Sequence, residues 1–145
     1  MQRDPLQTLG LHVGIALACL RPTTVRAFAG RGRSRRRDLY LVPSIADEIV
    51  ANICITLAFN RDGERVIRSR IARHLADVLL GVSDSVARDW AGVDAEARDR
   101  ARKEITACIV QRLVDRYTVL IQAREVIVPA ADVWCGIRED EIEGD

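Results

Sequence analysis

Five arginines, Arg31, Arg33, Arg35, Arg36 and Arg37, crowd into the segment GRGRSRRR at residues 30–37, with Gly30 and Gly32 interleaved. A guanidinium is always charged and presents a planar fork of donors that matches phosphate oxygens, so a segment of this composition can neutralise a nucleic-acid backbone. The two glycines add reach, and the expectation is a mobile cluster of charge. No Asn or Gln, the usual readers of base edges, stands nearby, so contact with phosphate is expected to be independent of base sequence. Arg65, Arg68 and Arg73, on the outer face of an expected helix, extend the candidate nucleic-acid-binding set. Glu64 stands four residues before Arg68, so part of that face is ordinary helix-surface electrostatics. The competing reading is a solvated loop in an arginine-biased chain, because 21 of the 22 basic residues are Arg and only Lys103 is Lys. A tip of this kind contributes no apolar burial, so replacing Arg35, Arg36 and Arg37 with Ala is expected to leave the fold intact.

Other chemistry is harder to find. Cys19, Cys54, Cys108 and Cys135 lie far apart, with no CxxC or Cys/His spacing, and the two histidines, His12 and His74, cannot complete a zinc site with thiols so dispersed. No metal or other cofactor is expected. Cys19, Cys54 and Cys108 fall in the apolar runs IALACL, NICITL and ITACIV, which predicts buried, reduced thiols and a cytoplasmic location. There is no Gly-rich phosphate loop and no nucleophile with a plausible histidine. The one adjacent acidic pair of interest, Asp47 and Glu48, is explained by the start of a helix. The expected protein is therefore not an enzyme, and no small-molecule substrate is evident. Its six aromatic residues are too few for a base-stacking platform, which argues against an RRM or OB-type module.

The elements that must position these residues are mostly helical. From Asp94 to about Ile121, Ala97, Ala101, Ile105, Ile109, Leu113, Tyr117 and Leu120 recur at steps of three and four, the stripe that seats a helix on a core. Similar stripes predict helices at 6–20, 44–59 and about 64–80, the third opened by the turn NRDG at 60–63 and the second by Ser44 with Asp47. TTVRAFA and DLYLVP are short and rich in β-branched and aromatic residues, which predicts a hairpin at about 23–43 with the arginines at its tip. REVIVP supplies an optional further strand at about 124–128. The expected fold class is mainly α, a compact domain of four to five helices with that small hairpin, occupying residues 1–137. REDEIEGD at 138–145 has the composition of an acidic tail.

Residues 75–90, LADVLLGVSDSVARDW, resemble the helix-turn-helix of bacterial repressors in the ten-residue separation of Ala76 from Val86 and in the Gly-apolar-Ser turn at 81–83. Gly81 falls five residues after Ala76 where that pattern has four, and the would-be recognition helix sets Asp84 and Asp89 against a single Arg88. Carboxylates repel phosphates, so a plain helix, turn and short helix is the preferred expectation. Residues 6–20 form an apolar run that is too short to span a bilayer. Arg3 ahead of them suggests a secretory signal, but Asp4, Pro5 and two glycines spoil it and a core helix is preferred.

Charge divides along the chain. Residues 1–75 hold 13 arginines against 6 acids, and residues 76–145 hold 9 bases against 15 acids, so the halves carry +7 and −6. Together with helices at 44–59 and 105–121 that are apolar on more than one side, this predicts a homo-oligomer or membership of a larger protein assembly. Two functions follow: a small nucleic-acid-associated protein, or an assembly subunit of a viral particle or other complex. No membrane partner is expected.

Overall fold

The computed structural model describes residues 4–122; the expected strand at 124–128, the acidic segment 138–145, Trp134 and Cys135 lie outside the described residues. The described chain is mainly helical with one small antiparallel sheet. It opens with α1, Pro5–Ala18, where Asp4 caps the backbone N–H of Leu6 at 3.0 Å and Pro5 takes the first helical position, whose N–H would be orphaned in any case. Then come α2 (Pro22–Ala29), a single 3-10 turn (Leu39–Leu41) and α3 (Val42–Ile53). Strands β1 (Leu57–Arg61) and β2 (Glu64–Arg65) lead into α4 (Arg68–Leu80), α5 (Asp84–Trp90), α6 (Ala95–Arg116) and β3 (Thr118–Ile121). α3 lies against α1 and α4, while α6 packs on α1, α4 and α5. Fully buried Leu9, Leu17, Phe28, Ile45, Ile49, Ile53, Ile71, Leu75 and Ile105 form one continuous apolar core drawn from five helices.

The predicted hairpin at 23–43 is not there. TTVRAFA belongs to α2, because Val25, Phe28 and Ala29 stand at helical spacing and are all buried, and Pro22 starts the helix where a strand would lose a ladder donor. α2 ends at Gly30, φ 82°. There the N–H of Arg31 returns to the carbonyl of Arg26 (2.8 Å) and that of Gly30 to Ala27 (3.3 Å), the paired closure of a Schellman motif. DLYLVP forms the 3-10 turn and the first turn of α3. Pro43 therefore sits inside a helix start, and Ser44, expected as its cap, is already helical.

The true hairpin is β1–β2. Arg61 pairs with Glu64 across Asp62 and Gly63, whose φ values of 54° and 81° mark a two-residue turn with both central residues left-handed, the geometry that Asp-Gly favours. The expected helices at 44–59 and 94–121 are each shorter by a strand. Leu57, Ala58 and Phe59 pair with Ile121, Leu120 and Val119. No single helix among the described residues is long and apolar enough to cross a membrane.

Candidate nucleic-acid interface

The arginine segment forms a closed loop that leaves α2 and returns to it, since the N–H of Asp38 bonds the carbonyl of Ala27 at 2.9 Å. Two of its arginines staple it along α5. Arg37 donates from Nε to the Phe28 carbonyl (3.1 Å) and from Nη1 to the Val82 carbonyl (2.8 Å) and to Asp84 Oδ1 (3.0 Å), just ahead of and at the start of α5. Its guanidinium lies 4.5 Å from the centroid of the Phe28 ring, which meets Trp90 of α5 edge-on at 5.8 Å. At the other end Arg31 donates from Nε to the carbonyl of Arg88 (2.9 Å), one of the last carbonyls of α5 and a favourable place for a cation.

The expected mobile cluster is therefore a tethered loop. Arg37, only 16% exposed, is committed to holding it, so the expectation that its loss would spare the fold does not survive. Gly30 is required at the hinge. Apart from its positive φ, a Cβ there would lie 3.3 Å from Arg37 Cγ and from Arg37 N.

What the tether leaves outward is a defined display. Arg31, Arg35 and Arg88 line a cavity of about 350 Å³ with Gly30 and Gly32 as its floor, and Arg33 and Arg36 are exposed beside it. Arg35 adopts φ 59°, a left-handed conformation uncommon outside glycine. Among the described residues none of Arg31, Arg33, Arg35, Arg36 or Arg88 is in an ion pair; Arg37 with Asp84 and Arg102 with Asp99 are the pairs present. In the sequence Arg88 belongs only to the stretch that resembles a helix-turn-helix, and nothing in the local pattern joins it to the arginine segment. Its approach to the loop depends on α5 packing against α2 and α6, a contact between segments about 60 residues apart. In the stretch that resembles a helix-turn-helix, α5 buries Ala87 and Trp90, and Arg37 occupies its N-terminal end.

Arg65, Arg68 and Arg73 are exposed but do not join this display. Arg37 reaches Val82, past the C-terminal end of α4, whereas Arg68 is the first residue of that 13-residue helix, a separation of about 20 Å along its axis. Arg65 and Arg68 instead lie near Cys54. Burial pushes that thiol's pKa up, and the two guanidiniums oppose the shift. Arg73 faces a separate cleft between α4 and the end of α6.

The thiol expectation also fails in part. Cys19 and Cys108 are exposed and Cys54 is half-buried. Cys19 lies just beyond the last turn of α1, and Cys108 lies on the outer face of α6 between Ala107 and the buried Ile109, so apolar neighbours in sequence did not mean burial. Among the described residues no three His, Cys, Asp or Glu side chains converge. No protein-family model, curated protein or solved structure matches the chain.

Proposed function

We propose that this is a non-enzymatic nucleic-acid-associated protein that grips phosphate backbone through the tethered loop and does not read base sequence. The observation that carries this is the outward set Arg31, Arg33, Arg35, Arg36 and Arg88, three of which (Arg31, Arg35 and Arg88) line one concavity and all of which are unpaired among the described residues. Five guanidiniums with no counter-charge among the described residues repel one another, and a polyanion relieves that repulsion while fork donors engage its oxygens. Arg31 already serves Arg88, which leaves four side chains free to reach phosphates. Log affinity for duplex should then fall against log salt with a slope of about −3 to −4, with little dependence on sequence. Replacing Arg33 and Arg36 together with Ala should flatten the slope by about two units, as both are exposed and hold nothing in the fold. Absence of binding to duplex or single strand at about 50 mM salt would refute the proposal.

A second reading, an assembly subunit, is favoured by one surface. On α1, Leu11 and Ile15 stand 62% and 43% exposed beside a furrow of about 680 Å³ floored by Gly10, Gly14 and Ala18 and walled by Thr106, Ala107 and Val110 of α6. An apolar ridge next to a furrow on the same face suits a second copy of the chain turned by a twofold, ridge into furrow. The surplus expected on helix 44–59 is instead used internally, since Ile45, Ile49, Val50 and Ile53 are buried.

A further inference from the structure

The cleft between α4 and the C-terminal end of α6 is a different kind of basic site from the loop. It holds about 210 Å³ and is lined by Arg70, Arg73, His74, Asp77, Arg116 and Tyr117. Arg70, Arg73 and Asp77 occupy one face of α4 at i, i+3 and i+7, and Arg116 is the last residue of α6. The floor is fixed by packing. His74 Nε2 lies 3.2 Å from the carbonyl of Arg112; a carbonyl only accepts, so this nitrogen carries the proton. The imidazole meets the buried Tyr117 ring edge-on at 5.9 Å, and Tyr117 meets Phe59 of β1 in the same way at 6.2 Å.

Three guanidiniums thus face one small polar space with a single carboxylate among them. Arg70, Arg73 and Arg116 are in no ion pair among the described residues. The position of Arg116 has an ordinary cause, since a cation suits the carbonyl end of α6. Arg73 has Asp77 one turn further on, but Arg70 has no such cause, because it sits in the first turn of α4, where the helix dipole gives positive charge no support and no acid stands three or four residues away.

We propose that this cleft binds a single phosphate group, with Arg70, Arg73 and Arg116 as donors to its oxygens above a floor of His74 and Tyr117. A small polar cleft with a net lining charge of +2 favours a compact anion, which two or three guanidinium forks can bracket. Asp77 is the unfavourable corner and sets the affinity below what three arginines alone would give. The phosphate is either the terminal monoester of a nucleic acid or small molecule, or a diester within a backbone. The inference goes beyond the loop reading and does not need it, because the cleft is carried by α4 and α6 and the loop by α2 and α5.

The test uses the full chain, with inorganic phosphate titrated against chloride at constant ionic strength and the imidazole signals followed by NMR. The chain contains two histidines, and His12, on α1, is the internal reference once assigned through a His12→Gln variant. His74 signals should move along a saturating curve with a midpoint of about 1 mM while those of His12 stay still. Arg73→Ala with Arg116→Ala should weaken binding at least about tenfold, and Asp77→Asn should tighten it about threefold. A merely structural role for these exposed side chains would produce neither change. Short single strands with and without a 5′-phosphate then separate the sources: a requirement for the end group marks a monoester site, and equal response marks backbone. Arg33→Ala with Arg36→Ala should lower duplex affinity yet leave the phosphate titration untouched, so failure of one site is distinguishable from failure of the other. No saturable movement of His74 up to about 20 mM phosphate, or identical curves for the double-alanine and Asp77→Asn variants, would overturn the proposal.

Discussion

Replacing Arg37 with Ala removes three hydrogen bonds and a guanidinium seated on the Phe28 ring, whereas replacing Arg36 removes an exposed side chain with no such contacts. Because Asp84 is 77% exposed its ion pair is worth little, and most of the loss comes from the two carbonyl contacts and the ring. The expected cost of Arg37→Ala is about 2 kcal/mol, seen as a fall of about 6 °C in Tm, against less than about 0.5 kcal/mol for Arg36→Ala. The sequence makes the two residues look alike. A run of arginines declares charge, but which of them turns inward depends on carbonyls at Phe28 and Val82 that the local pattern does not mention. The thiols differ in the same way. Cys19 and Cys108 should react with a thiol reagent at native pH within the time of mixing, and Cys54 more slowly, because burial raises its pKa and so lowers the thiolate fraction near neutrality despite Arg68 and Arg65. Equal rates for all three, measured on single-cysteine variants, would contradict the burial of Cys54.

At the level of elements, the helical class and the long stripe of α6 were legible, since Ala101, Ile105, Ile109 and Leu113 repeat strongly enough to decide the matter and all are buried. The strands were not. Thr118–Ile121 continues the apolar spacing of the helix before it, and only the extended backbone at Tyr117, φ −130° and ψ 155°, breaks the period. Aromatic and β-branched residues in TTVRAFA suggested a strand, but eight residues with a Pro at the start and a Gly at the end satisfy helix signals equally, and burial of Val25 and Phe28 decided between them. Asp62-Gly63 is a turn signal in the sequence, but the elements it joins are two strands and not two helices. Two glycines at nearly equal φ separate backbone strain from crowding. Gly63→Ala should cost about 1 kcal/mol, because nothing lies within 4 Å of the new Cβ and only the left-handed conformation is penalised. Gly30→Ala should cost clearly more, about 2 kcal/mol, since the same penalty is joined by contact with Arg37. Equal denaturation midpoints for the two variants would mean that the loop is not packed against the hinge.

For the molecule as a whole, the acidic side of the charge division is slight among the described residues, because residues 76–122 hold 7 bases against 8 acids, and acidic Asp84 at the start of α5 is clasped by an arginine of the basic half. Within the described residues charge therefore gives little reason to self-associate, and the α1–α6 ridge and furrow is the surface for it. Light scattering at tens of micromolar should therefore give a dimer whose mass is insensitive to salt and which Leu11→Glu with Ile15→Glu reduces to a monomer; a wild-type monomer would end the assembly reading. The candidate interface was legible as a cluster and not as a surface, since Arg88 joins Arg31 and Arg35 only through the packing of α5. The staples at Arg31 and Arg37 also fix the thermodynamics of any contact the loop makes. An arginine-rich segment that orders on its target gives up roughly 1 kcal/mol or more of backbone entropy per residue and shows the large negative heat-capacity change of coupled folding. A loop already closed on α2 and pinned to α5 has met that cost during folding of the chain, so its association should show a heat-capacity change near zero and a rate set by diffusion and steering rather than by rearrangement.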